Sequence, residues 1–277
     1  MHFQSTLAIG VLANSFTAAG FECGSSGSSS GLKAISKDLA KEHFEIRGQP
    51  KNIEIKTYVH VLAASKKEED NYLSDATVEG QINLLNEKFK PWNFSFKLMN
   101  TTRTVDRDWA YPIGGPGNSE SEGKVRAALR QGTYKDLNLF FIADMPPGGK
   151  CELPVPNPNE EQFLFDGCII RPNNPREAPP EFHFVTVHEV GHWLGLEHTF
   201  NNGCKEPGDY VDDTPYEDYP SDPDTCPPPD RNTCPDKPGL DPIDNFMNYV
   251  PPNCGPKRFT LGQAERMHRL WKELRAN

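Results

Sequence analysis

The sequence predicts an α/β (α+β) fold, with a mixed twisted sheet and two long helices in the N-terminal half. An irregular, disulfide-tied C-terminal half ends in a further helix. Three observations carry this expectation. Apolar residues switch between a two-residue and a 3.6-residue period from Ile53 to about His198. Between His198 and Thr260 both periods vanish among prolines, glycines and cysteines. From Thr260 a capped helical stripe closes the chain.

The elements follow in order from local chemistry. Gly24 to Gly31 is a Gly/Ser tract and Lys33 to Lys51 is polar and partly helical in pattern, so residues 20–51 read as a pro-segment or flexible linker. Alternating apolar residues from Ile53 to Val61 predict a strand with one buried face, opening the main domain at 52–277. Val78, Ile82, Leu85 and Phe89, behind the candidate caps Ser74 and Asp75, predict a long amphipathic helix. Phe94, Phe96 and Leu98 alternate as a second strand, and Val125 and Leu129 mark a shorter helix. Leu137–Ile142 is apolar enough for a central strand, and Gly167–Ile170 predicts an edge strand. The second long helix carries His188. At the end, Thr260 and Gln263 form a capping box, and Ala264, Met267, Trp271 and Leu274 line one face as core packing.

Composition removes several function classes. The net charge of −10 offers no basic surface for a nucleic acid or an anionic membrane. Residues 1–19 have a short apolar stretch, Leu7 to Phe16, followed by small residues, which predicts a cleaved signal peptide and a secreted, extracellular chain. No later stretch approaches membrane-span length. Seven cysteines suit an oxidising destination. Without Cys23, the other six can form three bridges; no CxxC pair is present for a zinc knuckle, and the connectivity is open at this level.

One segment carries chemistry. His188 and His192 are four apart, so on a helix their rings project from one face and reach a single ion. Glu189 sits beside them, able to take a proton from a metal-bound water without ligating. Gly195 can enter the left-handed region, end the helix and swing His198 round to the same ion. Three imidazoles and one open position describe a catalytic zinc site. An accidental match at this spacing has odds on the order of 10⁻⁵ from average residue usage. His43, His60, His183 and His268 lack the spacing and read as structural.

His188-Glu189-Val190-Gly191-His192-Trp193-Leu194-Gly195-Leu196-Glu197-His198 resembles the metzincin signature HExxHxxGxxH. Asn245-Phe246-Met247-Asn248-Tyr249 resembles the family's methionine turn, which implies Met247 as an apolar base beneath the histidines and Tyr249 as an oxyanion stabiliser. Thr199-Phe200, Val211-Asp212-Asp213-Thr214-Pro215 and the cysteines around the turn are similar to the pappalysin (cytophagalysin-like) family, in particular its fungal extracellular metalloproteases. The resemblance implies a two-part domain split by a horizontal cleft with the zinc helix at its floor. It also implies Cys204–Cys234 and Cys226–Cys254 bridges, which leaves Cys151 with Cys168. Some relatives prefer a basic residue after the scissile bond through an acid beyond the turn. Val250-Pro251-Pro252-Asn253 holds no acid, so that preference is not carried over.

Four further expectations follow. Cys23, on a flexible tether, could occupy the open zinc position and keep the enzyme latent, as the cysteine switches of metzincins do. The acidic loop Glu206–Thr214 could hold a structural calcium, as relatives do nearby. Asn93 and Asn100 head glycosylation sequons, Asn100 in a loop after the strand. The expected activity is zinc-dependent endopeptidase cleavage of extracellular proteins by a monomer, for nutrient release or host-protein degradation. A narrow processing protease is an alternative; so is a silent binding protein, which would be expected to have lost Glu189 or a zinc histidine.

Overall fold

Leu137–Phe141 (β3) is apolar at nearly every position and is buried throughout, which puts it at the centre of a five-stranded sheet. A computed structural model describes residues 23–41 except 26, and 51–111, 119–143, 148–171, 184–220, 225–250 and 254–276. The expected leader, His43, His183 and residues 251–253 lie outside the described residues. The strands are β1 (Ile53–Ala63), β2 (Phe94–Val105), β3, β4 (Gly149–Cys151) and β5 (Cys168–Ile170), in the order β2-β1-β3-β5-β4. All neighbours are parallel except β4 and β5, so the sheet is mixed, as the pattern implied.

Two expectations change. β5 is not the edge: β4 pairs outside it, Cys151 opposite Cys168, and forms the sheet's rim. β4 has only three residues, one a glycine, too short to show a period. Nor does β1 keep one exposed face. Its first half alternates, but from Val59 it is buried on both sides because helices cover both.

Ile55, Val59, Val61, Leu139 and Phe141 face helices α2 (Asp75–Phe89) and α6 (Phe184–Trp193) in the main core. On the other face Leu62, Phe140, Ile142 and Ile169 pack with Val125 of α4 (Ser119–Leu129) and with Trp109 of the short α3 (Arg107–Ala110). Ser74 caps α2 by accepting from the Thr77 amide. The six-residue α5 (Glu160–Phe165) precedes β5. After α6 the chain runs in turns to Thr260, whose capping box with Gln263 starts α7 (Leu261–Leu270). Ala264 and Met267 of α7 join the main core.

The N-terminal segment is ordered where described. Helix α1 (Ser30–Lys41) sets Leu32 against Leu153, Leu270 and Leu274, with Ile35 and Leu39 alongside. Arg269 donates to the Leu39 carbonyl at 2.7 Å. The segment is thereby anchored on the last helix, and Cys23, Gly24 and Ser25 lie against the sheet rim at Gly149 and Cys151.

The structure joins Cys151 to Cys168, Cys204 to Cys234 and Cys226 to Cys254, and leaves Cys23 free. Asn100 is exposed but lies within β2, not beyond it, because β2 continues to pair with β1 past a bulge at Met99. Asn93 is half-buried in the turn that enters β2.

Candidate active site

Helix α6 is buried from Val185 to Trp193, so its histidines face the interior of the fold, not solvent. Its end is set by Gly195, at φ +98°. The Leu196 amide donates to the Gly191 carbonyl and the Gly195 amide to the His192 carbonyl, the paired bonds of a Schellman turn. That turn brings His198 beside the two helical histidines. His192 Nε2 lies 3.1 Å from His188 Nε2 and 3.1 Å from His198 Nε2.

The protonation pattern follows from the outer nitrogens. His188 Nδ1 donates to the Phe246 carbonyl at 2.7 Å, and His192 Nδ1 to the Leu196 carbonyl at 2.8 Å. Carbonyls only accept, so these Nδ1 atoms carry the protons and the Nε2 lone pairs point inward. Burial holds all three imidazoles below their ordinary range, His192 at about 4, and so in the neutral form that ligates metal. Converging lone pairs with no proton between them need a cation. Tetrahedral bonds of about 2.0–2.1 Å place nitrogens roughly 3.3 Å apart, close to the spacing found. The donor set therefore fits zinc.

Cys23 completes the group. Its Sγ and one nitrogen of each of His188, His192 and His198 all lie within 4.8 Å of one another, the one such His/Cys/Asp/Glu cluster among the described residues. Burial, with the Glu189 carboxylate nearby, pushes the Cys23 thiol well up in the absence of a cation. Glu189 is fully buried next to the cluster, and burial raises it to about 8. Rim residue Gly149 leaves it room: a β-carbon there would lie 2.7 Å from Glu189 Oε1.

The turn after Asp244 forms the floor. Met247 is wholly buried and meets α6 at Gly191. Tyr249 sets its ring 4.8 Å from that of His198, and its hydroxyl accepts from the Cys23 amide at 3.0 Å and donates to the Cys23 carbonyl at 3.2 Å. Thr199, next to His198, donates its amide to the Met247 carbonyl. The cavity beside His188 is lined by Phe184, Val185, Phe246, Asn248, Val250 and Pro256, with no acidic side chain among the described residues.

Three positioning groups were not singled out from sequence. Glu217 Oε2 accepts from Thr199 Oγ1 and Asn248 Nδ2, tying the loop after His198 to the methionine turn. Asp166 accepts from the Trp193 indole and pairs with Arg275, fixing the end of α6 to the chain terminus. Arg266 donates to the Gly195 carbonyl. Each is an isolated charged residue in a loop or a helix stripe, without a spacing pattern that points to a site. A buried partner can be read only from the fold.

In the Glu206–Thr214 loop, Asp209 Oδ1 accepts from Val211 N and Thr214 Oγ1, and Asp213 binds Thr260 and Gly262. Asp209 Oδ2 is buried without a partner among the described residues. His60 and His268 lie away from the cluster, bonded to Thr102 and Asn138 and to the Trp92 carbonyl.

Residues 148–272 match the family described as pregnancy-associated plasma protein-A, peptidase M43. The chain is 39% identical to an extracellular metalloprotease of Pyricularia oryzae, over 89% of this chain and 85% of that one. It is 40% identical to extracellular metalloprotease 1 of Coccidioides posadasii, over 81% and 79%. Among solved structures, mirolysin in complex with compound 9 superposes with a TM-score of 0.65 at 25% identity, covering 80% of this chain and 92% of that one. A promirolysin variant of Tannerella forsythia gives 0.65 at 24%, covering 90% and 93%. The chain belongs to the pappalysin-type M43 peptidases, within the metzincins, and is a metalloendopeptidase.

Proposed function

We propose that the chain is a secreted, zinc-dependent endopeptidase made as a latent precursor, with His188, His192 and His198 holding one zinc. The observation that carries this is the convergence of the His188, His192 and His198 Nε2 atoms, the first two unprotonated, with a fourth donor, Cys23, on one point. Zinc, when bound, lowers the pKa of water and polarises a carbonyl. Glu189 is the general base: its carboxylate, buried beside the histidine cluster, takes a proton and returns it to the leaving amine. Tyr249, released from Cys23, turns its hydroxyl to the oxyanion of the tetrahedral intermediate. Met247 supports the histidines from below without ligating.

Residues 20–51 act as a pro-segment and 52–277 as the catalytic domain, with residues 1–19 the signal peptide. The N-terminal stretch crosses the site and is anchored on α7, which supports latency through Cys23. Substrates are extracellular proteins or peptides, in nutrient release or host-protein degradation, cut by a monomer. The relatives' designation as extracellular metalloproteases supports this setting. The apolar lining beside His188 gives no support to a basic preference after the scissile bond. A structural calcium near Asp209 is supported by its buried, unpartnered Oδ2, with a rise in melting temperature on adding calcium as its check.

The test compares Glu189→Ala with the wild type after removal of residues up to about Lys51. The variant is expected to retain one zinc by elemental analysis and to lose peptide hydrolysis by 10²-fold or more, roughly the weight of general-base catalysis. A variant retaining more than about a tenth of the rate, or a fully active zinc-free enzyme, contradicts the reading.

A further inference from the structure

The N-terminal segment blocks more than the metal position. Cys23 bridges Gly149 in the parallel sense, and the Gly24 amide donates to the Gly149 carbonyl at 2.8 Å, so the segment lies along the free rim of β4. One residue on, Ser25 Oγ donates to Glu189 Oε2 at 3.1 Å and accepts from the Cys151 amide at 2.9 Å. The Ser25 amide points back to Cys23 Sγ at 3.3 Å, closing a tight turn over the site. Glu189 Oε1 has no hydrogen-bond partner among the described residues, and Oε2 takes the Ser25 hydroxyl, with the Cys23 thiol also interacting with the carboxylate.

We propose that Ser25 is a second latency group, which caps the Glu189 carboxylate and occupies the rim amide of Cys151 while Cys23 fills the metal position. The inference rests on the peptidase reading of the site but is separate from the cysteine switch. Its chemistry is a hydroxyl bridging a carboxylate acceptor and a backbone donor. A hydrogen bond formed out of water leaves its buried partner unsatisfied when the donor is deleted, which costs more than the bond itself contributes. The same two partners have other work in an open site. Glu189 must be free to accept a proton, and an edge-strand amide such as that of Cys151 is a ready donor for an extended peptide. Release of the segment therefore frees the base and the rim together. Ser28, which hydrogen-bonds to Glu197, continues the contact toward α1 but reaches no reacting group.

Cys23 is the one cysteine outside a disulfide, so its alkylation by iodoacetamide in the zinc-loaded full chain reports how often the segment lifts. The experiment measures that rate, with intact mass confirming an uncleaved chain, in the wild type, Ser25→Ala, Glu189→Ala and the double variant. Ser25→Ala is expected to accelerate alkylation roughly tenfold where Glu189 is present and less than about twofold in the Glu189→Ala background, as for two buried residues joined by a hydrogen bond. An equal acceleration in both backgrounds, or none in either, overturns the proposal. Zinc removal from the wild type is the separate control. If chelation leaves the rate unchanged, Cys23 does not bind the metal and the switch fails, while the Ser25–Glu189 coupling is still read from the four proteins.

Discussion

Gly191 and Met247 touch across the floor of the site: a β-carbon at residue 191 would overlap Met247 Sδ and lie 3.3 Å from its Cε. Gly191 stands between His188 and His192 on α6, so the helix approaches the methionine turn this closely only because the residue has no side chain. The same approach lets the Phe246 carbonyl reach His188 Nδ1. The turn thus supports the helix and selects the tautomer of its first histidine.

Gly191→Ala is expected to destabilise the protein, although alanine is the better helix former by up to about 1 kcal/mol. Overpacking a rigid core costs roughly 1–3 kcal/mol, which wins. The melting temperature should fall by several degrees, and adding Met247→Ala should recover part of that loss by removing the overlapping sulfur. Thermal denaturation of the four proteins checks this; strictly additive shifts would refute the contact as the cause.

Much of this site is legible in the chain because its parts are close in sequence. The four-residue step from His188 to His192 and the glycine needed at φ +98° are local, and local geometry translates directly into spacing. Long helices and the strand at the centre are legible for the same reason: Val78 to Phe89 and Leu137 to Ile142 carry their period within one element. The rim strand β4 is not, since three residues contain no period and its pairing with β5 is made across α5. Glu217 and Asp166 are hidden for a different reason. Their partners come from segments fourteen or more residues away, and an isolated acid carries no mark of being buried.

Acid should weaken the fold through His60. It is enclosed beneath α4, with Nδ1 2.8 Å from Thr102 Oγ1 and Nε2 3.0 Å from Asn138 Oδ1, and burial holds it at about 4 against an ordinary 6.5. Between those values the unfolded chain binds the proton and the folded one does not. Stability is therefore full above about pH 6.5 and is lost as pH falls toward 4, by up to about 3 kcal/mol from this group. His60→Gln, which keeps polar atoms but cannot titrate, should flatten that part of the curve. Denaturant midpoints from pH 7 to 4 that fall equally in both proteins would exclude His60 as a source.

Glycosylation should discriminate between the two sequons. Asn100 is exposed on the outer strand β2, where a glycan extends into solvent. Asn93 is half-buried at φ 58°, with its carbonyl accepting from Ile53 and its amide donating to Lys90, so its backbone is held on both sides. Protein secreted from a eukaryotic host is expected to carry one glycan, at Asn100. Peptide mapping after glycosidase treatment gives the answer, and a modified Asn93 with a bare Asn100 would reverse it.

Glu217 should matter more than its distance from the reacting groups suggests. Its carboxylate is fully buried, and burial raises its pKa, yet Arg231 Nη1 pairs with Oε1 at 2.6 Å while Thr199 and Asn248 both donate to Oε2. Glu217→Ala would leave a buried hydroxyl and a buried amide short of an acceptor and Arg231 with Asp241 alone. Breaking a buried pair by deleting one partner costs about 3–5 kcal/mol, so the urea midpoint should drop markedly. Glu217→Gln retains an acceptor for Thr199 and Asn248 and should lose less. Thr199 follows His198 and Asn248 follows Met247, so the alanine variant should also yield zinc to a competing chelator more readily at temperatures where it stays folded. An unchanged urea midpoint in Glu217→Ala would show that the carboxylate does not join these two loops.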